Sequence, residues 1–516
     1  MKSDLYELIH SLNKSEKRYF KIEAAKYTSD KNIYLVVYEL LEKQRTYNPQ
    51  ALKRALEKTH PKAVKRLTTT KNYLYTLILK TLNAYYEDKS SVFEFNKRIQ
   101  QVEILFFKGL YKQAEKILKQ AKKIAVKMGL YPQQLLVLKW EYELAFLGNK
   151  FQHIVEEVTA IQERQEEVLK ALEQVLIYEK TNLKTYDYIF QNGPPKTEEE
   201  KQALKACTTF PKEVLPPPSP YTKALFHYIQ STYHYFMGEV NQALVHAKER
   251  VEVFEKYPQL IAEDAYSYIK ALYNYIQALI SLAEPQFDEA LYYIDKVKML
   301  KNKKGVFVDK RASQLIFLLA YSHSIKIYMA QGHFEKILDL GEEIKQLKGA
   351  DRRMVDEDQN SFIVYLKLSF AALVAADYDR AIYWMRLLLN NRMHSVRYDW
   401  LGFAKILHLM IHVELENYNL LPSLIDAANR YLTEHEQLGA IERRLLGLFR
   451  KMASKGKWDR QLIKYLETTK EMIDDYIRLP ENKISYWRQY FMSEWLVHKL
   501  TNRSYKSLLV EKLSSD

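Results

Sequence analysis

The stretch Gly109-Leu-Tyr-Lys-Gln-Ala114 recurs in degenerate form down most of the chain, and this recurrence constrains the fold more than any other feature. Copies begin at Asn149, Gly238, Pro285, Gly332, Ala376 and Glu416, so successive starts lie 40, 89, 47, 47, 44 and 40 residues apart. The interval of 89 is about two periods and holds a degenerate copy or an insertion. Each copy opens on a turn-former or a small or polar residue. Its third place is usually aromatic (Tyr111, Phe151, Phe287, Phe334, Tyr378, Tyr418) and its sixth small or aliphatic (Ala114, Ala243, Ala290, Ala381). Glycine at the first place ends a helix without a side-chain clash. The aromatic folds back over the turn, and a small sixth residue lets two helix axes approach closely. One such helix pair buries only half its apolar faces, so pairs must stack to cover the rest.

Gly109, Tyr111, Ala114, Leu118 and Ala121 carry a small–x–aromatic–x–x–Ala hinge, and Ala278 and Ala290 repeat its small places in a later copy. The pattern resembles the tetratricopeptide-repeat family over residues 92–435. The period exceeds that family's usual length of about 34 residues, and the tryptophan that often opens its first helix is missing. The resemblance implies an all-α, right-handed helical-repeat solenoid of long-helix type. It divides the chain into an N-terminal helical segment (1–90), repeats (91–435, with an insertion at 192–220) and a C-terminal helical cap (436–516).

Composition agrees with an all-helical chain. There are 13 Gly and 14 Pro in 516 residues, and alternating apolar patterns are scarce. The single Cys207 excludes an internal disulfide and a cysteine-based metal cluster. The N-terminus carries charges throughout, unlike a signal peptide. The longest apolar run, Phe362 to Ala376, is interrupted by Lys367 and is too short to span a bilayer. A reducing, cytoplasmic setting is the expectation.

Residues 1–90 hold 18 Lys and Arg against 10 Asp and Glu, a net of +8 out of +14 for the chain. Helices are predicted at Ser3–Leu12, Lys14–Lys26, Ile33–Lys43, Pro49–Lys58 and Val64–Tyr86. Ser15 is expected to cap the second and Asn48, followed by Pro49, the fourth. Leu12-Asn-Lys-Ser-Glu-Lys-Arg-Tyr-Phe20 and Lys71-Asn-Tyr-Leu-Tyr75 resemble the N-terminal region of an uncharacterised bacterial family of tetratricopeptide-like proteins, which implies no activity. Lys53, Arg54, Lys58, Lys62, Lys65, Arg66 and Lys71 form a basic tract around His60-Pro61. Such a tract contacts phosphates or forms a solvated cap on the repeats; Thr68, Thr69, Thr70 and Asn72 are the polar side chains that could reach bases.

Further along, Ala114–Met128 reads as an amphipathic helix with Ile117, Leu118, Ala121, Ile124 and Ala125 on one face. The helix after Ile154 continues to about Phe190, either with a break or without one. Asn192–Pro220 interrupts the pattern: Thr197 caps a short helix, and Phe210 to Pro220 is a stiff extended strap. In 436–516, Pro480 ends a helix and Lys483–Leu500 starts another, whose Tyr486, Trp487, Tyr490, Phe491 and Trp495 suit it to cover the last repeat, with a dimer contact as the rival reading.

By the same resemblance, the first helix of each pair presents an inner face. That face comprises Tyr228, Thr232 and Tyr235, then Tyr275 and Leu279, then Ser322 and Lys326, then Leu366 and Phe370. It is aromatic and aliphatic, which suits an apolar or amphipathic peptide, or else the residues pack on one another and leave no groove.

Reaction signatures are missing. There is no phosphate-cradling Gly-rich loop, no Gly-x-Ser-x-Gly and no Cys-x-x-Cys. His408 and His412 share a helical face with Glu416 a turn beyond, but Leu409 stands where a zinc protease needs Glu. His227 and His234 sit two turns apart in a Tyr-rich helix. No cofactor and no metal is expected. The reading is a non-catalytic scaffold for a protein or peptide, with no membrane role and an oligomeric state the sequence does not fix. The alternative is a nucleic-acid-binding regulator using Lys53, Arg54, Lys62, Lys65, Arg66 and Lys71.

Overall fold

A computed structural model describes residues 4–26, 33–44, 46–87, 90–147, 154–214, 216–217, 219–301, 303, 306, 308–347, 355, 360–390, 398–454, 459–479 and 491–515. The protein is all-helical, with no strand among the described residues. None of the described helices is long and apolar enough to cross a membrane. The chain forms two compact units, Met1–Ala278 with Lys303–Phe307, and Leu279–Asn302 with Val308–Asp516.

The first unit opens on helices Asp4–Ser11, Lys14–Lys26, Ile33–Glu42, Pro49–Thr59 and Leu67–Glu87, within a few residues of expectation; Pro61–Val64 adds a single turn. They close a hydrophobic cluster of their own around Ile9, Phe20, Tyr38, Leu56 and Ile78. Asn48 caps its helix through Ala51 N at 2.9 Å. The second helix corrects the expected serine cap. Asn13 Oδ1 accepts the Glu16 N–H at 3.0 Å, and the Glu16 carboxylate accepts the Asn13 N–H at 2.8 Å. This reciprocal box starts the helix at Lys14 and leaves Ser15 on its first turn. Glu16 also takes the Tyr86 hydroxyl, and Leu12 and Phe20 are buried. The Leu12–Phe20 motif is therefore a structural joint.

Five hinges, at Gly109, Gly238, Gly332, Ala376 and Glu416, share one end geometry, whereas at the Pro285 copy the helix ends earlier, at Leu279, and Gln286 N bonds Leu279 O at 3.2 Å. After helix Ser91–Phe107, Gly109 N bonds Phe106 O at 2.9 Å and Leu110 N bonds Leu105 O at 2.9 Å, with Gly109 at φ +73°. After helix Pro220–Phe236, Gly238 N bonds Tyr235 O at 3.1 Å and Glu239 N bonds His234 O at 2.8 Å. These are Schellman ends, in which a left-handed residue turns two amides back onto the last carbonyls. Ala376 and Glu416 repeat them without glycine, at φ +57° and +55°. Two further ends of this kind, at Gly129 and Glu436, were not anticipated. The copy at 149–154 lies outside the described residues except for Ile154.

Six of the seven hinges lead into close packing, while Ile154, the sixth residue of the copy at 149–154, is half-buried. The sixth residues Ala114, Ala243, Ala290, Ile337, Ala381 and Leu421 are all 0 % exposed. Tyr111 packs back on Phe106, ring centroids 5.6 Å apart. Ser231 and Ser369, each seven residues before a hinge, donate to the carbonyls of Ala243 and Ala381, at 3.1 and 2.8 Å. The same bond thus clasps helix Pro220–Phe236 to Val240–Lys256 and Asn360–Val374 to Tyr378–Leu389.

Helix Ile154–Asn192 runs unbroken for 39 residues. Thr197 and Glu200 form the capping box of helix Glu198–Thr208. The strap after it is pinned by Tyr178, whose hydroxyl donates to Val214 O at 2.9 Å and whose ring lies 4.6 Å from that of Phe210.

In the second unit one hydrophobic cluster runs from Phe317 to Leu509. The C-terminal aromatic helix starts at Met492, later than expected, because Phe491 is left-handed at φ +49°. Pro480, Lys483, Tyr486, Trp487 and Tyr490 lie outside the described residues. Trp495 is fully buried, and its indole N–H donates to Glu414 Oε1 at 2.8 Å. Lys499 Nζ reaches Glu414 Oε2 at 3.0 Å. Burial pushes the Glu414 carboxyl up, but donors from His498, Lys499 and Trp495 outweigh it and hold the group below its ordinary value.

The hinge backbone makes a signed prediction. A Cβ at Gly238 would meet nothing within 4 Å, so Gly238→Ala should cost about 1 kcal/mol through backbone strain alone. Ala376→Gly should raise stability by less, because added freedom in the unfolded chain offsets part of the relieved strain. Urea midpoints of the two variants should move in opposite directions.

Candidate functional site

In the first unit the expected inner-face residues sit on helices Pro220–Phe236 and Ala265–Leu279. Tyr228, Thr232 and Tyr235 are half-buried, and Tyr275 is 2 % exposed. The Thr232 hydroxyl is turned onto Tyr228 O at 2.7 Å, as its helical position favours. Tyr235 OH accepts from Gln277 Nε2 at 3.0 Å.

Two cations lie against Tyr228, and sequence reasoning missed both. The Arg250 guanidinium is 4.5 Å from the ring centroid and the Lys270 ammonium 4.6 Å. Arg250 is 5 % exposed; its Nη2 reaches Ser267 O at 3.4 Å, while Nε and Nη1 are buried without a hydrogen-bond partner. Burial lowers its pKa to about 10. A guanidinium held on aromatic faces keeps two donors unused inside the packed helices.

In the second unit, Leu279, Leu366 and Phe370 are 0 % exposed and Ser322 is 6 % exposed, whereas Lys326 is exposed. Ser322 lies on a π-helical turn, Leu318–His323, set between helices Lys310–Phe317 and Ser324–Ala330. Wide turns of this kind recur at functional sites. Lys367 Nζ donates to both Ser322 O and Ser322 Oγ at 3.1 Å. Burial first, and the Lys326 charge second, lower the Lys367 pKa to about 7. His323, 7 % exposed, is driven to about 3 by burial and by the same two lysines. Lys367 was visible in the sequence only as the charge that breaks an apolar run. Its partner Ser322 lies 45 residues away.

The pair Ser322–Lys367 has the composition of a serine–lysine dyad. The hydroxyl is almost fully covered, however, and the same ammonium is held on a backbone carbonyl.

The other sequence candidates resolve as follows. Lys53, Arg54, Lys62, Lys65 and Arg66 are exposed; Lys71 is half-buried and donates to Tyr47 OH at 3.0 Å. Thr70 is 8 % exposed and donates to Arg66 O, so it faces inward. His408 and His412 touch through Nε2 at 3.1 Å. Burial, then His412, Lys405 and Arg386 lower the His408 pKa to about 4, a setting that opposes a metal cation as well as a proton. Among the described residues no group of three or more His, Cys, Asp or Glu side chains is placed to hold a metal ion. His227 meets His246 through Nδ1 at 3.1 Å, and His234 bonds Glu239 at 2.6 Å. Cys207 is half-buried, and its carbonyl takes the Thr185 hydroxyl at 3.5 Å.

Comparison of the chain with known protein families, with curated proteins and with solved structures finds no match.

The Lys367 environment sets the sign of a pH effect. An ammonium whose folded pKa is depressed destabilises the fold while both states are protonated, and the penalty is relieved as pH rises from the folded to the unfolded value. For Lys367 that window is about pH 7 to 10.5. Lys367→Met should raise the urea midpoint at pH 7 and narrow the gap between variant and parent at pH 9.5.

Proposed function

We propose that this protein is a non-catalytic, cytoplasmic scaffold of tetratricopeptide type that holds a protein or peptide on the inner face of stacked helix pairs. The observation that carries the reading is the repeated clasp: Ser231 to Ala243 and Ser369 to Ala381, at the same place relative to a left-handed hinge. Equal bonds at equal positions are what repeats of one supersecondary unit produce.

The accessible part of the face decides the partner's chemistry. Tyr275, Leu279, Leu366 and Phe370 are taken up by the chain's own packing. In the first unit Tyr228, Thr232 and Tyr235 remain for a partner, with Lys270 against the Tyr228 ring; in the second, taken by itself, Lys326 does. A segment that brings carboxylates to the cations and apolar side chains to the tyrosine rings fits this face better than a wholly apolar one.

The test is capture by immobilised protein, read by mass spectrometry. Tyr228→Ala with Tyr235→Ala should weaken binding by about 1–3 kcal/mol per anchor at unchanged helix content. Retention of the wild-type capture profile by that folded variant would refute the inner-face reading.

A second reading has its own observation: Lys53, Arg54, Lys62, Lys65 and Arg66 are exposed in one short stretch of helices. If these five contact phosphates, binding of the full chain to duplex DNA should fall with salt, with a log–log slope of about −4 to −5. Absence of binding at low salt removes this reading.

A further inference from the structure

Helix Ile154–Asn192 spans about 58 Å at 1.5 Å per residue. Its inward face carries Val175, Tyr178, Thr181 and Thr185, all buried. On the opposite face stand Leu169, Leu176, Leu183 and Phe190, 52 %, 55 %, 66 % and 72 % exposed. They recur every seven residues, which is the period of a coiled-coil seam. Tyr186 stacks on Phe190 with ring centroids 6.1 Å apart and widens the stripe at its C-terminal end. Glu166, Leu169, Lys170, Leu172, Glu173 and Leu176 line a shallow, open hollow along it. An ordered apolar stripe with a charged rim marks an interaction surface.

Charge identifies what covers it. Glu179 and Lys180 flank the stripe between Leu176 and Leu183. A parallel copy in register would set Glu179 against Glu179 and Lys180 against Lys180. An antiparallel copy sets each beside the other. With the two-fold axis between Glu179 and Lys180, Leu176 faces Leu183 of the second copy and Leu169 faces Phe190 of the second copy. Glu179 then faces Lys180 of the second copy, and the two-fold makes every contact twice. The Glu179 carboxylate is held at the seam by the Tyr221 hydroxyl at 3.2 Å, and Lys180 has no partner among the described residues. We propose that the chain forms an antiparallel homodimer through the Leu169–Leu176–Leu183–Phe190 stripe. This inference is independent of what the inner face binds.

Sedimentation equilibrium of the full chain tests it. Twice the 61.3 kDa chain mass is expected. Leu176→Glu with Leu183→Glu should weaken the dimer by about 100-fold at unchanged circular dichroism, since both side chains point to water in the monomer. Glu179→Lys alone should weaken it, and adding Lys180→Glu should restore it, because the ion pair is re-formed with its sign reversed. A wild-type chain that is monomeric at about 100 µM overturns the proposal, as does a dimer indifferent to the leucine substitutions. An exchange that fails to restore assembly overturns the antiparallel register.

Discussion

The second unit and much of the first depend on one steric demand: two helices joined by a short bend must approach closely within a turn of that bend. Three features meet it together. A residue in the left-handed region reverses the chain while the last amides stay bonded. The residue five places on loses its surface completely, as Ala114, Ala243, Ile337 and Ala381 do. A serine seven places before the bend, in two pairs, bonds across to that residue's carbonyl. The carbonyl already serves its own helix, so the serine uses its second lone pair and leaves the helix ladder intact. Where glycine is absent, at Ala376 and Glu416, the left-handed residue is strained by about 1 kcal/mol or more. That strain persists because the apolar packing on either side of the bend over-determines the conformation.

Packing alone does not close the second unit. Glu414 ends helix Tyr398–Glu414 with a side chain only 6 % exposed, and it collects the indole of Trp495, the ammonium of Lys499 and the hydroxyl of Tyr378. Removing one member would strand a buried charge, which costs far more than the pair gains over water. The network therefore fixes where helix Met492–Thr501 docks. Apolar contacts such as Trp495 on Phe449 then exclude water around it.

The bends were legible because their chemistry is local: a turn-former, an aromatic and a small residue within six positions. Where the bend chemistry departs from that pattern, sequence reading failed. Gly129 opens Gly-Leu-Tyr, as Gly109 does, but its sixth residue is Gln134. Glu436 offers no turn-former at all. Caps were legible to within a turn, and Asn13 prevailed over Ser15 because Glu16 could answer its amide. The inner face was legible as positions but not as exposure. Whether Leu366 or Tyr228 meets solvent is decided by the neighbouring helix, and no periodicity within one helix reports that. The same limit hid the stripe on helix Ile154–Asn192: its leucines are spaced like any buried face until the opposite side is seen to be the packed one.

The cations beside the inner face bear on what the face is for. Arg250 and Lys367 are placed among apolar helices where an uncharged side chain of similar length would be less costly. Their partners here are ring faces, a carbonyl and a hydroxyl, each an electron-rich but uncharged group. Such partners orient a cation without neutralising it. Under the scaffold function proposed above, a carboxylate arriving beside Tyr228 would meet an Arg250 guanidinium already positioned and already stripped of much of its water, and the ordering cost of binding would fall accordingly. A wholly apolar ligand would gain nothing from that arrangement.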